Sequence, residues 1–152
     1  MAKVKKGDSL PDFSLKDQNN HEVRSIHWIG KPVVVFFYPD DNTPICTAQV
    51  CLFRNNYHEF QKLGIRVVGI SHNSSKSHSN FASQHQLPFL LLSDKNDEVR
   101  NLFGVPKRFF GLTPGRVTYV FDRDGKLIYI NNSFMNAAKH VKGALDVLKN
   151  NL

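Results

Sequence analysis

The stretch VVVFFYPDDNTPICTAQVC, residues 33–51, decides the fold. VVVFFY (33–38) is β-branched and aromatic throughout, the composition of a strand buried on both faces. Pro39 turns the chain out of that strand. Thr43 then stands as an N-cap, with Pro44 at the first helical position. A helix is expected from Pro44 to Lys62, stopped by Gly64. Both cysteines of the chain, Cys46 and Cys51, fall on this helix just beyond the end of a core strand.

Working outward, IRVVGIS (65–71) and FLLLS (89–93) resemble the first strand in composition. VTYVFD (117–122) and KLIYIN (126–131) flank Arg123-Asp124-Gly125, which predicts a hairpin. Further helices are expected over Ser75 to Gln86, over residues 94–104 and from Asn136 to Asn150. The last places Ala137, Val141, Ala144, Leu145 and Leu148 on one face. FSLKDQNNHEVRSI (13–26) predicts a short hairpin in front of the first core strand. Strands alternating with helices imply an α/β fold: a central mixed β-sheet flanked by helices, of thioredoxin-like architecture, with an N-terminal β-hairpin extension. Ligands of such sheets bind beyond the carboxyl ends of the strands, where the opening stretch sits.

The chain of 152 residues is the size of one domain, and no internal boundary or repeat interrupts residues 1–152. Its composition is 41% hydrophobic and 22% charged, as in a folded globular protein. No apolar run approaches the roughly 20 residues that span a bilayer, so no membrane association is expected. The N-terminus carries Lys3, Lys5 and Lys6 without an apolar segment behind them, so a cytoplasmic protein is expected. The net charge of +7 is scattered, with no basic block interleaved with aromatics and no zinc-finger spacing. A solvated basic surface is the expectation, and no nucleic-acid partner.

The two cysteines admit several readings. Buried, unreactive thiols are common. A metal site needs about four ligands, and none of the seven histidines falls within the motif. The usual dithiol redox motif is C-x-x-C, and here the spacing is C-x4-C. On a regular helix the five-residue step gives about 7.5 Å of rise and about 140° of rotation, so the Cα atoms lie about 8–9 Å apart. That exceeds the ~7 Å reach of a disulfide, and the pair can join only where the helix start unwinds. The local sequence favours chemistry. Pro39, Thr43 and Cys46 form P-x-x-x-T-x-x-C after a buried strand. Cys46 sits in the first helical turn, where free N–H groups favour a thiolate. Thr43 offers a hydroxyl close by.

YPDDNTPICTAQVCLFR closely resembles the active site of the peroxiredoxins of the AhpC/TSA superfamily, specifically the PrxQ/bacterioferritin-comigratory-protein type. GDSLPDFSLKDQNN, SDKNDEVRNLFGV and TPGRVTYVFDRDGKL resemble further segments of that family, so the likeness covers nearly the whole chain. It implies a thioredoxin-like fold and a thiol-dependent peroxidase. Cys46 would be the peroxidatic nucleophile and Cys51 the resolving thiol, joined in an intramolecular disulfide after turnover. Thr43 would hydrogen-bond thiolate and peroxide, Pro39 would shield the sulfur, and Arg116 would be the distant active-site cation. Gln49 stands where other peroxiredoxin groups carry Glu, and would orient Arg116 without adding charge. The family pattern has Gly before the reactive cysteine. Ile45 here would narrow the pocket mouth or stiffen the first turn. Tyr38 is read as a pocket wall, and Phe109, Phe110 and Ile45 as an apolar rim admitting organic peroxides. His72 and His78 are read as solvated loop residues. The substrate would be a hydroperoxide and the reductant thioredoxin or a similar dithiol protein. No metal, haem or flavin is implied, and a monomer is expected because both thiols lie in one chain.

Three rivals stand beside this reading. A protein thiol–disulfide exchanger would lack fast peroxide turnover. A basic binding module would hold two inert core cysteines and bind nucleic acid in a salt-dependent way. A relay would keep the peroxide chemistry but pass its disulfide to a regulator.

Overall fold

The computed structural model describes residues 3–108, 113–133 and 136–150. Its central strand is β3 (Val33–Phe37), buried along its whole length. β3 pairs in parallel with β4 (Arg66–Ser71), and β4 in parallel with β5 (Leu90–Ser93). On its other side β3 pairs antiparallel with β8 (Val117–Phe121), which continues antiparallel to β9 (Leu127–Asn131). The N-terminal hairpin, β1 (Ser14–Lys16) and β2 (Glu22–Arg24), joins this sheet at its far edge through Lys16 opposite Ser93 of β5. The hairpin thus extends the sheet, as expected, at the edge beyond β5. The strand order is β2-β1-β5-β4-β3-β8-β9. A separate two-stranded ribbon, β6 (Lys107–Arg108) with β7 (Thr113–Pro114), was not expected from the sequence. Phe109 and Phe110 lie outside the described residues.

Strand alternation divides the core in two. Val34, Phe36 and Tyr38 face one apolar cluster, with Cys46, Val50 and Phe53 of α1 (Pro44–Asn55), Phe60 of α2 (Tyr57–Lys62), Phe81 of α3 (Ser75–His85), and Val141, Ala144, Leu145 and Leu148 of α5 (Ala137–Asn150). Val33, Val35 and Phe37 face the opposite cluster, with Val99 and Phe103 of α4 (Glu98–Phe103) and with Phe13 and Trp28. Among the described residues no helix is long and apolar enough to cross a membrane.

Packing sets where the functional helix lies. A Cβ on Gly69 of β4 would come within 2.6 Å of the Phe36 ring. The bare glycine lets Phe36 lie over its neighbouring strand. Phe36 in turn stacks on Phe53 at 4.5 Å between centroids, tilted by 15°. Offset aromatic pairs contribute about 0.5–1.5 kcal/mol beyond their buried area, and this one fixes the last turn of α1 over the sheet.

The single helix expected over Pro44 to Lys62 is two. It breaks at Asn56, which leaves helical geometry while its side-chain amide donates to the Leu52 carbonyl at 2.8 Å. Asn competes with the backbone for hydrogen bonds in this way, which is why it interrupts helices. The helix expected over 94–104 begins only at Glu98. The Asp94 carboxylate accepts from the Val99 and Arg100 amides at 3.1 and 2.9 Å, four residues upstream of the helix proper.

Candidate active site

α1 starts just past the carboxyl end of β3, and its first turn carries Ile45 and Cys46. Thr43 is the N-cap residue, with extended backbone, and its carbonyl accepts from the Thr47 amide at 2.8 Å. Its hydroxyl makes no capping bond and instead donates to the Asp40 carbonyl at 3.4 Å. Pro44 at the helix start brings no N–H to be capped. Pro39 is buried at the exit from β3, and Ile45 is half-buried.

Cys46 is enclosed, with 1% of its surface exposed, and Arg116 is equally buried. Arg116 precedes β8, which lies beside β3, so the guanidinium reaches α1 across the strand ends. Its Nη2 donates to Cys46 Sγ at 3.2 Å, and its Nη1 donates to the Gln49 side-chain oxygen. Gln49 is fully buried one turn after Cys46. A neutral amide acceptor steers the guanidinium without neutralising it, which leaves a full positive charge against the sulfur. The approach depends on Gly115, since a Cβ there would sit 1.9 Å from the Pro106 carbonyl oxygen.

A second buried arginine braces this arrangement. Arg100 of α4 donates to the Gly115 carbonyl at 2.7 Å and to the Tyr38 carbonyl at 3.0 Å, and lies 5.6 Å over the Phe37 ring. It thus ties the end of β3 to the segment that delivers Arg116. Behind Arg116, His140 of α5 accepts from the Thr118 hydroxyl at Nδ1 (2.6 Å) and donates from Nε2 to the Ser133 carbonyl (2.5 Å). Burial pushes His140 down to about 4 and the Arg116 charge works in the same direction, against the pull of the Ser133 carbonyl.

The loop from β3 to α1 is anchored by a polar cluster. The Asp41 carboxylate accepts from the Tyr38 hydroxyl (2.7 Å), the Ser77 hydroxyl (2.7 Å) and His78 Nδ1 (2.9 Å). His78 Nε2 faces the Leu92 carbonyl at 3.0 Å. The ring is thus held between a carboxylate on Nδ1 and a backbone carbonyl on Nε2, with the Tyr38 hydroxyl 3.4 Å from Nδ1. Burial acts to raise the Asp41 carboxyl, but the bonds from His78, Tyr38 and Ser77 outweigh it and hold it below the usual carboxylate range. The expectation that His78 is a solvated loop residue is therefore corrected. It is fully buried within α3, and its polar partners come from the segment that follows β3 and from β5. His72 is exposed, as expected. Tyr38 packs in the same apolar cluster as Cys46, while its hydroxyl turns to Asp41. Burial, then the Asp41 charge, raise that hydroxyl well above its ordinary value.

Cys51, on the same helix, is half-buried and faces α3, with its Sγ 3.8 Å from His85 Nδ1. Cys46, Gln49 and Arg116 are brought together, and Thr43 stands at the helix start. Asp41, His78, Arg100, His140 and His85 carry no signal in the motif. Arg100 alone was within reach of sequence reasoning, since it shares with Val99 and Phe103 the apolar face of its helix.

The family model described as AhpC/TSA family matches residues 6–130. The chain is 49% identical to chloroplastic peroxiredoxin Q of Sedum lineare over 148 residues, 97% of this chain and 80% of that protein. It is 49% identical to the chloroplastic peroxiredoxin Q of Arabidopsis thaliana, over 97% of this chain and 68% of that one. Among solved structures, BcpB peroxidoxin of Mycobacterium tuberculosis superposes with a TM-score of 0.89 at 34% identity, covering 97% of each chain. A serine-for-cysteine variant of Xanthomonas campestris peroxiredoxin Q superposes with a TM-score of 0.84 at 28% identity, covering 92% of each. The likeness thus spans the sheet, the helices and the segment holding Cys46, and by it the chain belongs to the AhpC/TSA family as a peroxiredoxin of the Q type, a thiol-dependent peroxidase.

Proposed function

We propose that the chain reduces hydrogen peroxide and organic hydroperoxides at Cys46 and regenerates itself through a Cys46–Cys51 disulfide. The observation that carries this reading is the Arg116 guanidinium, 3.2 Å from a sulfur at the start of a helix. Both the cation and the free N–H groups of the first turn stabilise negative charge there. The thiolate attacks one oxygen of the hydroperoxide, the O–O bond breaks, and Cys46 becomes a sulfenic acid as water or an alcohol leaves. The same donors stabilise the charge that grows on the departing oxygen, and the Thr43 hydroxyl joins them once it turns away from the Asp40 carbonyl. Pro39 closes the pocket from the strand side, Tyr38 and Ile45 line it, and Gln49 holds Arg116 in line.

Resolution requires movement. On an intact helix the two thiols stay about 8–9 Å apart at Cα, beyond the reach of a disulfide. The first turns of α1 unwind, and Cys51 displaces the sulfenic oxygen. Thioredoxin or a similar dithiol protein then reduces the disulfide. Because both thiols lie on α1, no second subunit is needed, which favours a monomer. The role is antioxidant defence and redox homeostasis. The near-complete enclosure of Cys46 suits a slim O–O group better than a protein disulfide, which speaks against a protein thiol–disulfide exchanger. A related structure, bacterioferritin comigratory protein of Xanthomonas campestris, carries alkyl peroxide reduction in its description, at 26% identity and a TM-score of 0.85. That supports organic hydroperoxides as substrates here.

The test is one equivalent of hydrogen peroxide added to reduced wild type, Cys46→Ser and Cys51→Ser, followed by free thiols and intact mass. Wild type should lose two hydrogens, Cys51→Ser should gain one oxygen, and Cys46→Ser should barely react. Thiols that persist in all three would end the reading.

A further inference from the structure

The disulfide-forming step asks something of Cys51 that the Arg116 site does not provide. An ordinary thiol is mostly protonated at neutral pH, whereas attack on a sulfenic acid needs the thiolate. Cys46 meets a permanent cation. What Cys51 meets is an imidazole: His85 Nδ1, 3.8 Å from its sulfur, reaching from the last turn of α3.

That ring is held in place. It packs edge-on against Phe81, one turn earlier on α3, with centroids 4.8 Å apart and planes at 72°. The His85 carbonyl accepts from Arg54 Nη1 at 2.8 Å, and Arg54 lies three residues beyond Cys51 on α1. The two helices are therefore clamped beside the thiol–imidazole pair. Arg54 is the charged group that α1 turns toward His85, and it is engaged with the backbone oxygen. Both Cys51 and His85 are half-buried, so a proton taken by the ring can pass on to water.

We propose that His85 is a catalytic residue of the resolving step, acting as the general base that deprotonates Cys51. This rests on the reading of Cys51 as the resolving thiol. The neutral ring, with its proton on Nε2, takes the Cys51 proton at Nδ1. The Cys51 thiolate attacks the Cys46 sulfenic sulfur, the S–S bond forms and the S–O bond breaks. The departing hydroxide recovers a proton from the imidazolium through solvent. The balance is thiol plus sulfenic acid to disulfide plus water, and His85 ends neutral. The oxidant is the hydroperoxide already consumed at Cys46. Since the ring faces Cys51 before α1 unwinds, the proton is removed in the folded state and the nucleophile moves already charged.

The experiment separates the two steps in rapid-quench time courses, with alkylation and intact mass read across pH 5.5–9.5, for wild type, His85→Gln and His85→Ala. The bimolecular oxidation of Cys46 should be the same in all three. Disulfide formation at pH 7 should slow by about 10-fold or more in the variants, the scale of general base catalysis applied to an ordinary thiol. Its pH profile should shift between wild type and His85→Gln, with the rise in the variant near the ordinary thiol range. Added imidazole should restore part of the rate to His85→Ala. Unchanged rates and profiles in both variants would overturn the proposal. So would slower rates with an unshifted profile and no imidazole rescue, which mark a purely structural role. If wild type itself forms no disulfide, the resolving role of Cys51 fails first and this proposal falls with it.

Discussion

The two thiols of α1 sit five residues apart in opposite surroundings. Cys46 is enclosed against a buried guanidinium, and the loop before it is pinned by the buried Asp41–His78 pair. Cys51 is half-buried against His85, a group that can lose and gain a proton. The contrast matches two different demands. A peroxide nucleophile gains from a fixed field that stays in place through the reaction, and so it is built into the sheet. A thiol that must detach and travel gains from a partner that can take its proton and let go, and so it stands at a helix–helix seam.

The sharpest way to break this contrast is to remove the fixed cation. Arg116→Met should lower the bimolecular rate of Cys46 oxidation by about 10³-fold, the cost of losing a preorganised charge at a reacting centre. The later disulfide step should change little, and stopped-flow measurement of both phases checks this. Next is the anchor of the Cys46 loop. His78→Gln leaves the buried Asp41 carboxylate without the ring nitrogen that faces it at 2.9 Å and should cost about 3 kcal/mol in urea unfolding. Truncation of the surface residue His72 should cost nothing measurable.

Acid sharpens the same comparison. His140 is held neutral in the fold down to about 4, against the ordinary 6.5 of a free histidine. Below pH 6.5 the unfolded chain takes up this proton and the native chain does not. Stability should therefore fall as pH drops from about 6.5 to about 4, by roughly 3 kcal/mol in all. Asp41 is held below its usual range, so its contribution is present above the ordinary aspartate value and is lost only at still lower pH. In His140→Gln the decline between pH 6.5 and 4 should flatten, which urea titrations at stepped pH would show. The smallest effect is expected at Ile45→Gly. Glycine in the first turn should cost about 0.5–1 kcal/mol. It should also speed disulfide formation by a few fold, because the helix start opens more easily.

How much of this was legible depends on whether the signal was local. β3, the helix start at Pro44 and the turn at Arg123-Asp124-Gly125 follow from runs of β-branched residues, from proline's fixed φ and from glycine in a turn, so they could be read directly. The break at Asn56 was missed because apolar periodicity runs on through it, and an Asn side chain reaching back to Leu52 competes with the helix only once that helix exists. The hairpin was foreseen, but its place beside β5 was not, since pairing partners lie far apart in the chain. Thr43 was expected to turn its hydroxyl toward the sulfur, and in the fold that hydroxyl donates to the Asp40 carbonyl.

By itself, the sequence determined the alternating strands and helices, the position of Cys46 at a helix start, and a motif specific enough to point to Arg116 and Gln49. Tertiary structure decided the rest. It determined that His78 is a buried partner of Asp41 rather than a loop residue, that Arg100 braces the segment before β8, that His140 is kept neutral behind Arg116, and that His85 stands against Cys51. The physical reason is common to all four. The protonation and bonding of a histidine or arginine depend on which polar groups lie within about 3–4 Å of it, and those partners come from 7 to 62 residues away along the chain.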